Sequence, residues 1–235
     1  MLLVVNPKAS KEMCDTLKSY GHQVIFSMPY PNLKGAISTH PDIQIHSLDA
    51  NLVITPPDCY DYYRKLFPDA VKLICGEKNL TDTYPEDSAY NVAKVGRYIF
   101  CNTKYTDSKL LDYYQGVNFS IIHINQGYSK CNIAVLDENT IITEDKGMHN
   151  TIIANKISIR SILVPKGEVS LEGFPYGFIG GACGGDAKQL FWYGNPEKCS
   201  YFTSLQQETK GSRGKYIALS PEPLQDLGGI ICVSP

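Results

Sequence analysis

The chain has no long apolar run, no block of basic residues and no CxxC pair among its eight cysteines. The first absence rules out a transmembrane helix, which needs roughly 20 consecutive apolar residues. The second argues against nucleic acid as a main partner, because a formal charge of -2 leaves nothing to neutralise a run of phosphates. The third removes the commonest zinc and redox signatures. Met1-Leu2-Leu3-Val4-Val5 is followed at once by Asn6-Pro7-Lys8, too short for an export signal, so it reads as a strand. Without such a signal the cysteines are expected to be reduced thiols in a cytoplasm. His40 and His46 share no ligand spacing with a third residue, so no metal is expected. Gly180-Gly181-Ala182-Cys183-Gly184-Gly185 is glycine-rich, but no Lys-Ser/Thr completes a phosphate loop and no helix follows. No cofactor is expected either.

What is present is repetition. Leu136-Asp137-Glu138-Asn139-Thr140-Ile141-Ile142-Thr143 echoes Leu48-Asp49-Ala50-Asn51-Leu52-Val53-Ile54-Thr55, about 88 residues earlier. Halving the interval locates Ala93–Phe100, which keeps the turn and the apolar run. A weaker copy spans 187–194. Around each copy the same order recurs: a polar start, a hairpin, a helix and a closing strand.

In the first unit, Ile43–Leu48 alternates as a strand, Leu52–Thr55 pairs back, and Pro56-Pro57-Asp58 opens a helix through Phe67 with Tyr60, Tyr63 and Phe67 spaced for burial. In the second, Ser88–Ala93 and Arg97–Cys101 take the hairpin roles, and Asp107 caps a helix that Gly116 stops. The third has Ile133–Leu136, Thr140–Thr143 and a helix over Met148–Lys156. The fourth has Leu190–Tyr193, then a helix over Pro196–Gln207.

A fifth start at Asp226 has no hairpin partner, helix or closing strand after it. Leu2–Val5, a Ser10-capped helix over Lys11–Tyr20 and a strand over His22–Ser27 supply them. The expected fold is therefore a single α/β domain over 1–235: a five-bladed pseudo-fivefold propeller of ββαβ units with its fifth blade closed by both termini. The units fall at about 36–80, 81–125, 126–173, 174–225, and 226–235 with 1–35.

The polar starts of such units converge on the axis, so the repeat selects the candidates. Asp42 and Asp87 fall at equivalent positions in the repeat alignment, as do His46 and Asn91. Lys130-Cys131, Gly180–Cys183 and Gly229–Cys232 occupy comparable stretches of units three to five. Among the thiols, Cys131 follows Lys130, which could lower its pKa, while Cys183 is flanked by glycines. The other five cysteines lie on helices or strand ends and read as packing residues.

Five ββαβ units resemble the pentein, or guanidino-group-modifying-enzyme, fold. His40-Pro41-Asp42, Tyr84-Pro85-Glu86-Asp87, Gln126-Gly127-Tyr128-Ser129-Lys130-Cys131, Asp145-Lys146-Gly147 and Gly177-Phe178-Ile179-Gly180-Gly181 are similar to motifs of an uncharacterised bacterial family of that fold. The resemblance implies deiminase-like or amidinotransferase-like chemistry on a guanidine or amidine. His40-Pro41-Asp42 resembles the His-x-Asp element, whose His is a general acid/base and whose carboxylate binds the guanidinium. Cys232, in Gly228-Gly229-Ile230-Ile231-Cys232, resembles the nucleophile of the deiminases. In catalytic penteins the His-bearing unit immediately precedes the Cys-bearing one; here the unit after His40 starts with no cysteine. Two readings follow. One is a cysteine-dependent hydrolase or amidinotransferase using His40 with Cys131, Cys183 or Cys232 and a substrate shell of Asp42, His46, Asp87, Asn91 and Lys130. The other is a non-catalytic pentein holding a small, possibly cationic ligand or a protein or ribosomal partner. No membrane association is expected, and the oligomeric state is open.

Overall fold

The structure is a computed structural model that describes residues 1–186, 189–208 and 215–235. Ala187 and Lys188, at the start of the fourth repeat copy, lie outside the described residues.

In chain order the elements are β1 (Leu2–Val5), α1 (Lys11–Ser19), β2 (Gln23–Phe26), α2 (Pro41–Gln44), β3 (His46–Asp49), β4 (Leu52–Thr55), α3 (Pro57–Leu66) and β5 (Lys72–Cys75). There follow β6 (Ala93–Val95), β7 (Tyr98–Cys101), α4 (Ser108–Gly116), β8 (Ser120–His123), β9 (Ile133–Asp137), β10 (Thr140–Thr143), α5 (Lys146–Ala154) and β11 (Arg160–Leu163). The chain ends with β12 (Cys183–Gly185), β13 (Gln189–Trp192), α6 (Phe202–Glu208), β14 (Lys215–Ala218) and β15 (Ile231–Val233).

They form five three-stranded sheets, β3-β4-β5, β6-β7-β8, β9-β10-β11, β12-β13-β14 and β15-β1-β2. In each, the first strand runs antiparallel to the central one and the closing strand parallel to it. A parallel return needs a crossover, and a helix supplies it every time. Central strands are covered on both faces, which is why they read as unbroken apolar runs such as Leu52-Val53-Ile54. Closing strands such as β2 and β8 are half-exposed at the rim.

The helices form where their caps predict. Ser10 and Asp145 accept the backbone N–H three residues on, and Asp107 that of Lys109 two on. Their apolar faces fall inward, with Leu17, Leu110, Tyr114 and Met148 fully buried. First strands line the axis: β6 lies against β9, β9 against β12, β12 against β15 and β15 against β3. The fifth blade is closed as expected, Leu3 facing Cys232 on one side and Val24 on the other.

Four local expectations change. Residues 41–44 form a helical turn begun by Pro41 at the first helical position, so only His46–Asp49 is extended. A turn over Glu86–Ser88 likewise shortens the strand expected over Ser88–Ala93. The fourth helix is broken, because Cys199 is extended (φ -75°, ψ 137°) between a short turn and α6. Cys59, rather than Tyr60, takes the buried place beside Tyr63.

The ladder also corrects the repeat alignment. His46 pairs with Ile54 and Ala93 with Phe100, each the third residue of its central strand. His46 therefore answers to Ala93, not Asn91. Counting back, His40 answers to Asp87, and by the same register to Tyr128 and Phe178. Asp42 and Asp87 are not equivalent. An irregularity between Ser47 and Asp49 puts an extra residue into the first hairpin and shifts any count made through it.

Candidate functional site at the propeller axis

The unit starts meet as a buried polar cluster. Asp42, on the α2 turn, donates its backbone N–H to Gly228 O (3.0 Å). Its Oδ2 accepts from the Cys131 thiol at 3.1 Å, while Oδ1 has no hydrogen-bond partner. Asn91 clasps the first and third units. Its Nδ2 donates to Asp42 O (3.1 Å) and approaches Cys131 Sγ (3.0 Å), and its Oδ1 accepts the N–H groups of Lys130 and Cys131.

On the other side of the Asp42–Cys131 pair, His40 Nδ1 lies 3.8 Å from Asp226 Oδ1. Asp226 also accepts the N–H groups of Phe178 and Gly228, both at 2.9 Å. Gly228 sits at φ +77°, and a Cβ there would lie 2.4 Å from His40 Cβ. Only glycine lets the fifth unit turn this tightly against the imidazole.

Two voids flank this cluster. The larger, about 310 Å³, is lined by Asp42, His46, Lys94, Lys130, Cys183 and Cys232 among others. The smaller, about 20 Å³, touches His40, Cys131, Asp226, Tyr128 and Phe178. It has room for about one water, not a substrate. The sequence candidates thus divide. Asp42, His46, Lys130, Cys183 and Cys232 share the large cavity, whereas His40 and Cys131 face the small void. Asp87 stands apart, taking the hydroxyl proton of Tyr128 in a short hydrogen bond. Asn91 is a clasp.

The electrostatics follow from burial. The Cys131 thiol is pushed far up, first by desolvation and then by Asp42 and Asp226. Lys130 acts the other way but does not prevail, which reverses the expectation that it activates this thiol. Burial also pushes Cys183 and Cys232 up to about 12. His46 is held neutral, down to about 3, by burial with Lys94 and Lys130 nearby, and its Nε2 meets the Tyr114 hydroxyl at 2.7 Å. Lys130 Nζ donates to Gly180 O (2.9 Å) and Lys94 Nζ to Leu48 O (2.9 Å), so two ammonium groups and the carboxylates of Asp42 and Asp49 share the cavity wall.

Sequence reasoning missed Lys94, Asp226 and Glu144. Glu144 is buried, accepts the Ile179 N–H at 3.0 Å, and is raised to about 7 by desolvation. A signal for it existed. The residue just after a central strand is also Asn6 and Asn102, both buried and each donating to a backbone carbonyl, of Leu227 and of Asn125. Among the described residues no group of three His, Cys, Asp or Glu side chains is placed to hold a metal. Nor is any helix among the described residues long and apolar enough to cross a membrane.

Solved structures share this architecture. DDAH from Pseudomonas aeruginosa complexed with citrulline matches at TM-score 0.54 and 9% identity, over 93% of this chain and 92% of that one. SxtG, an amidinotransferase from Microseira wollei in the saxitoxin biosynthetic pathway, matches at 0.55 and 12%, over 93% and 88%. A dimethylarginine dimethylaminohydrolase adduct with S-methyl-L-thiocitrulline matches at 0.53 and 10%, over 93% and 92%. At these identities the likeness establishes the pentein fold alone. No curated protein matches by sequence. A family model does match, over residues 4–231, and the chain accordingly belongs to the family of unknown function DUF6873, whose fold is that of the pentein superfamily.

Proposed function

We propose that the axial cavity binds a small compound bearing a guanidinium or amidinium group, and that Cys232 carries out C–N hydrolysis or amidino transfer on it. One observation carries this reading: Asp42 and Cys232, from adjoining units of the ring, line the same cavity of about 310 Å³. The unpartnered Asp42 Oδ1 is the natural acceptor for the ligand's N–H groups. A planar cation seated there lowers the Cys232 thiol, so the thiolate forms with the ligand in place. Its attack on the central carbon forms a C–S bond and breaks a C–N bond, the thiol proton leaving on the expelled amine. Water, or a second amine, then releases the carbon from sulfur. Resemblance to guanidine-modifying proteins of the same fold supports the substrate class.

A second reading, binding without reaction, is favoured by the absence of an imidazole base at Cys232. His40 faces the small void rather than this cavity, and His46, with its pKa lowered to about 3 by burial, is too weak a base to take the thiol proton. Chloroacetamidine labelling followed by mass spectrometry separates the two. Cys75 is the control, since it and Cys232 are the two half-buried cysteines. Selective labelling of Cys232, slowed about tenfold or more by Asp42→Asn, is expected of an activated thiol in a cation pocket. Equal labelling of Cys75 and Cys232, indifferent to Asp42, would leave the binding reading in its place.

A further inference from the structure

Beyond the Asp42–Cys131 pair, the molecule presents a row of aromatic rings that the axial cavity does not use. Tyr84, Tyr128, Phe178 and Tyr176 follow one another at ring-centroid distances of 5.3, 6.3 and 6.3 Å. They come from the starts of three successive units, and Tyr128 and Phe178 hold the register position that His40 and Asp87 hold elsewhere. The row is open: Tyr84 is 49% and Tyr176 39% exposed.

It is also built rather than loose. The Tyr84 hydroxyl donates to Gln126 Oε1 and accepts the Gly127 N–H, both at 2.9 Å. The ring lies so close to Gly127 that a Cβ there would meet it at 2.9 Å. The Tyr128 hydroxyl is spent on Asp87. What Tyr84 and Tyr128 turn outward is therefore ring, not hydroxyl. Tyr176 and Phe178 stand at 83° to each other and form a corner at the end of the row.

Carboxylates lie beneath. Asp87 is 3% exposed and its Oδ1 has no hydrogen-bond partner. Asp226 takes the N–H of Phe178, and Glu144 that of Ile179. Lys130, from the start of the third unit, extends the other way to Gly180 O at the axial cavity. Burial raises all three carboxyls, with Lys166 acting the other way on Glu144 and His40 on Asp226.

We infer that this aromatic face is a second binding site, separate from the axial cavity, for an alkylated ammonium group such as that of choline. Ring faces over buried carboxylates attract a cation. They offer no acceptors to replace the three hydrogen bonds that a primary ammonium loses on leaving water, whereas a quaternary ammonium has no N–H to satisfy. The chemistry therefore selects the methylated cation over a lysine or guanidinium group.

The test is a titration of the full chain with choline by calorimetry and NMR, alongside its neutral isostere 3,3-dimethylbutan-1-ol. Choline is expected to bind, with the isostere about tenfold weaker or worse. Tyr176→Ala and Tyr84→Ala should each weaken choline about threefold or more, while Tyr84→Phe, which keeps the ring, stays within about twofold of the parent. Thermal melts establish that each variant is folded, and Tyr176→Ala, at an exposed ring, serves if Tyr84→Ala is not. Equal binding of the isostere would reduce the face to a plain apolar patch and overturn the inference. So would choline binding that survives loss of Tyr176, or no choline binding at all. None of these outcomes touches Cys232, so this site and the axial proposal stand or fall separately.

Discussion

His46 and Glu144 should make stability respond to pH in opposite directions, and each variant should unmask the other. His46 has its pKa lowered from 6.5 to about 3 by burial beside Lys94 and Lys130. The unfolded chain then binds the proton more readily, so the stabilisation is present above pH 6.5 and is lost as pH falls towards 3. At 1.36 kcal/mol per pKa unit, the loss between pH 7.5 and 5.0 is about 2 kcal/mol. Glu144 is raised from 4.5 to about 7. Its contribution is present below pH 4.5 and is lost as pH rises through 7, about 2 kcal/mol between pH 5.0 and 7.5. The two terms nearly cancel in the parent protein. Urea unfolding at both pH values, followed by Trp192 fluorescence, separates them. His46→Gln should lower the stability gained from pH 5.0 to 7.5 by ~2 kcal/mol relative to the parent, and Glu144→Gln should raise it by ~2 kcal/mol. Either variant tracking the parent within ~0.5 kcal/mol would refute the assignment of that group as buried and displaced in pKa.

Two further outcomes test the frame of the site. At Gly180 a Cβ would lie 2.3, 2.4 and 2.7 Å from the carbonyl oxygens of Lys130, Ile133 and Cys131, all backbone. Gly180→Ala should therefore cost about 3 kcal/mol or more and show as a lowered melting temperature or insoluble expression. Tyr63 is fully buried and donates to Gln44 Oε1 at 2.8 Å. Tyr63→Phe should cost about 1–2 kcal/mol by denaturant titration, and an unchanged midpoint would show that the bond contributes nothing.

The fold was legible because its signals are local and recur. Turn residues such as Asp49-Ala50-Asn51, apolar central strands and capped helices repeat often enough that the missing fifth blade could be assembled from both ends. The site was legible only in part. Asp42, His46, Lys130, Cys183 and Cys232 do share a cavity, because unit starts converge on the axis. His40 and Cys131 fall outside it, because which way a side chain leaves the α2 turn depends on a helical turn that Ile43-Gln44-Ile45-His46 disguises as alternation. The pairing of Asp42 with Asp87 failed by two residues, one the extra residue in the first hairpin and one because β7 starts at Tyr98 rather than at Arg97. Gln44 looked like a solvent-facing strand residue, yet its amide bridges Met28 O and Ser38 O and its oxygen takes the Tyr63 proton. Glu144 was not picked out because the N–H it accepts, that of Ile179, belongs to the next unit.

The fifth blade also dictates when the site comes into being. Pairing within a unit joins neighbours such as Ile54 and Ile74, whereas β1 and β15 join Leu3 to Cys232. Closing the longer loop costs about 2 kcal/mol more in chain entropy, and that cost falls before any of the new contacts forms. Four blades can assemble as the chain emerges; the fifth waits for its final strand. The wall of the axial cavity formed by Ile230, Ile231 and Cys232 arrives with that strand. An unfinished or clipped chain would thus carry Asp42, Lys130 and Cys183 but not Cys232, and the complete pocket exists only in a molecule whose ring is closed.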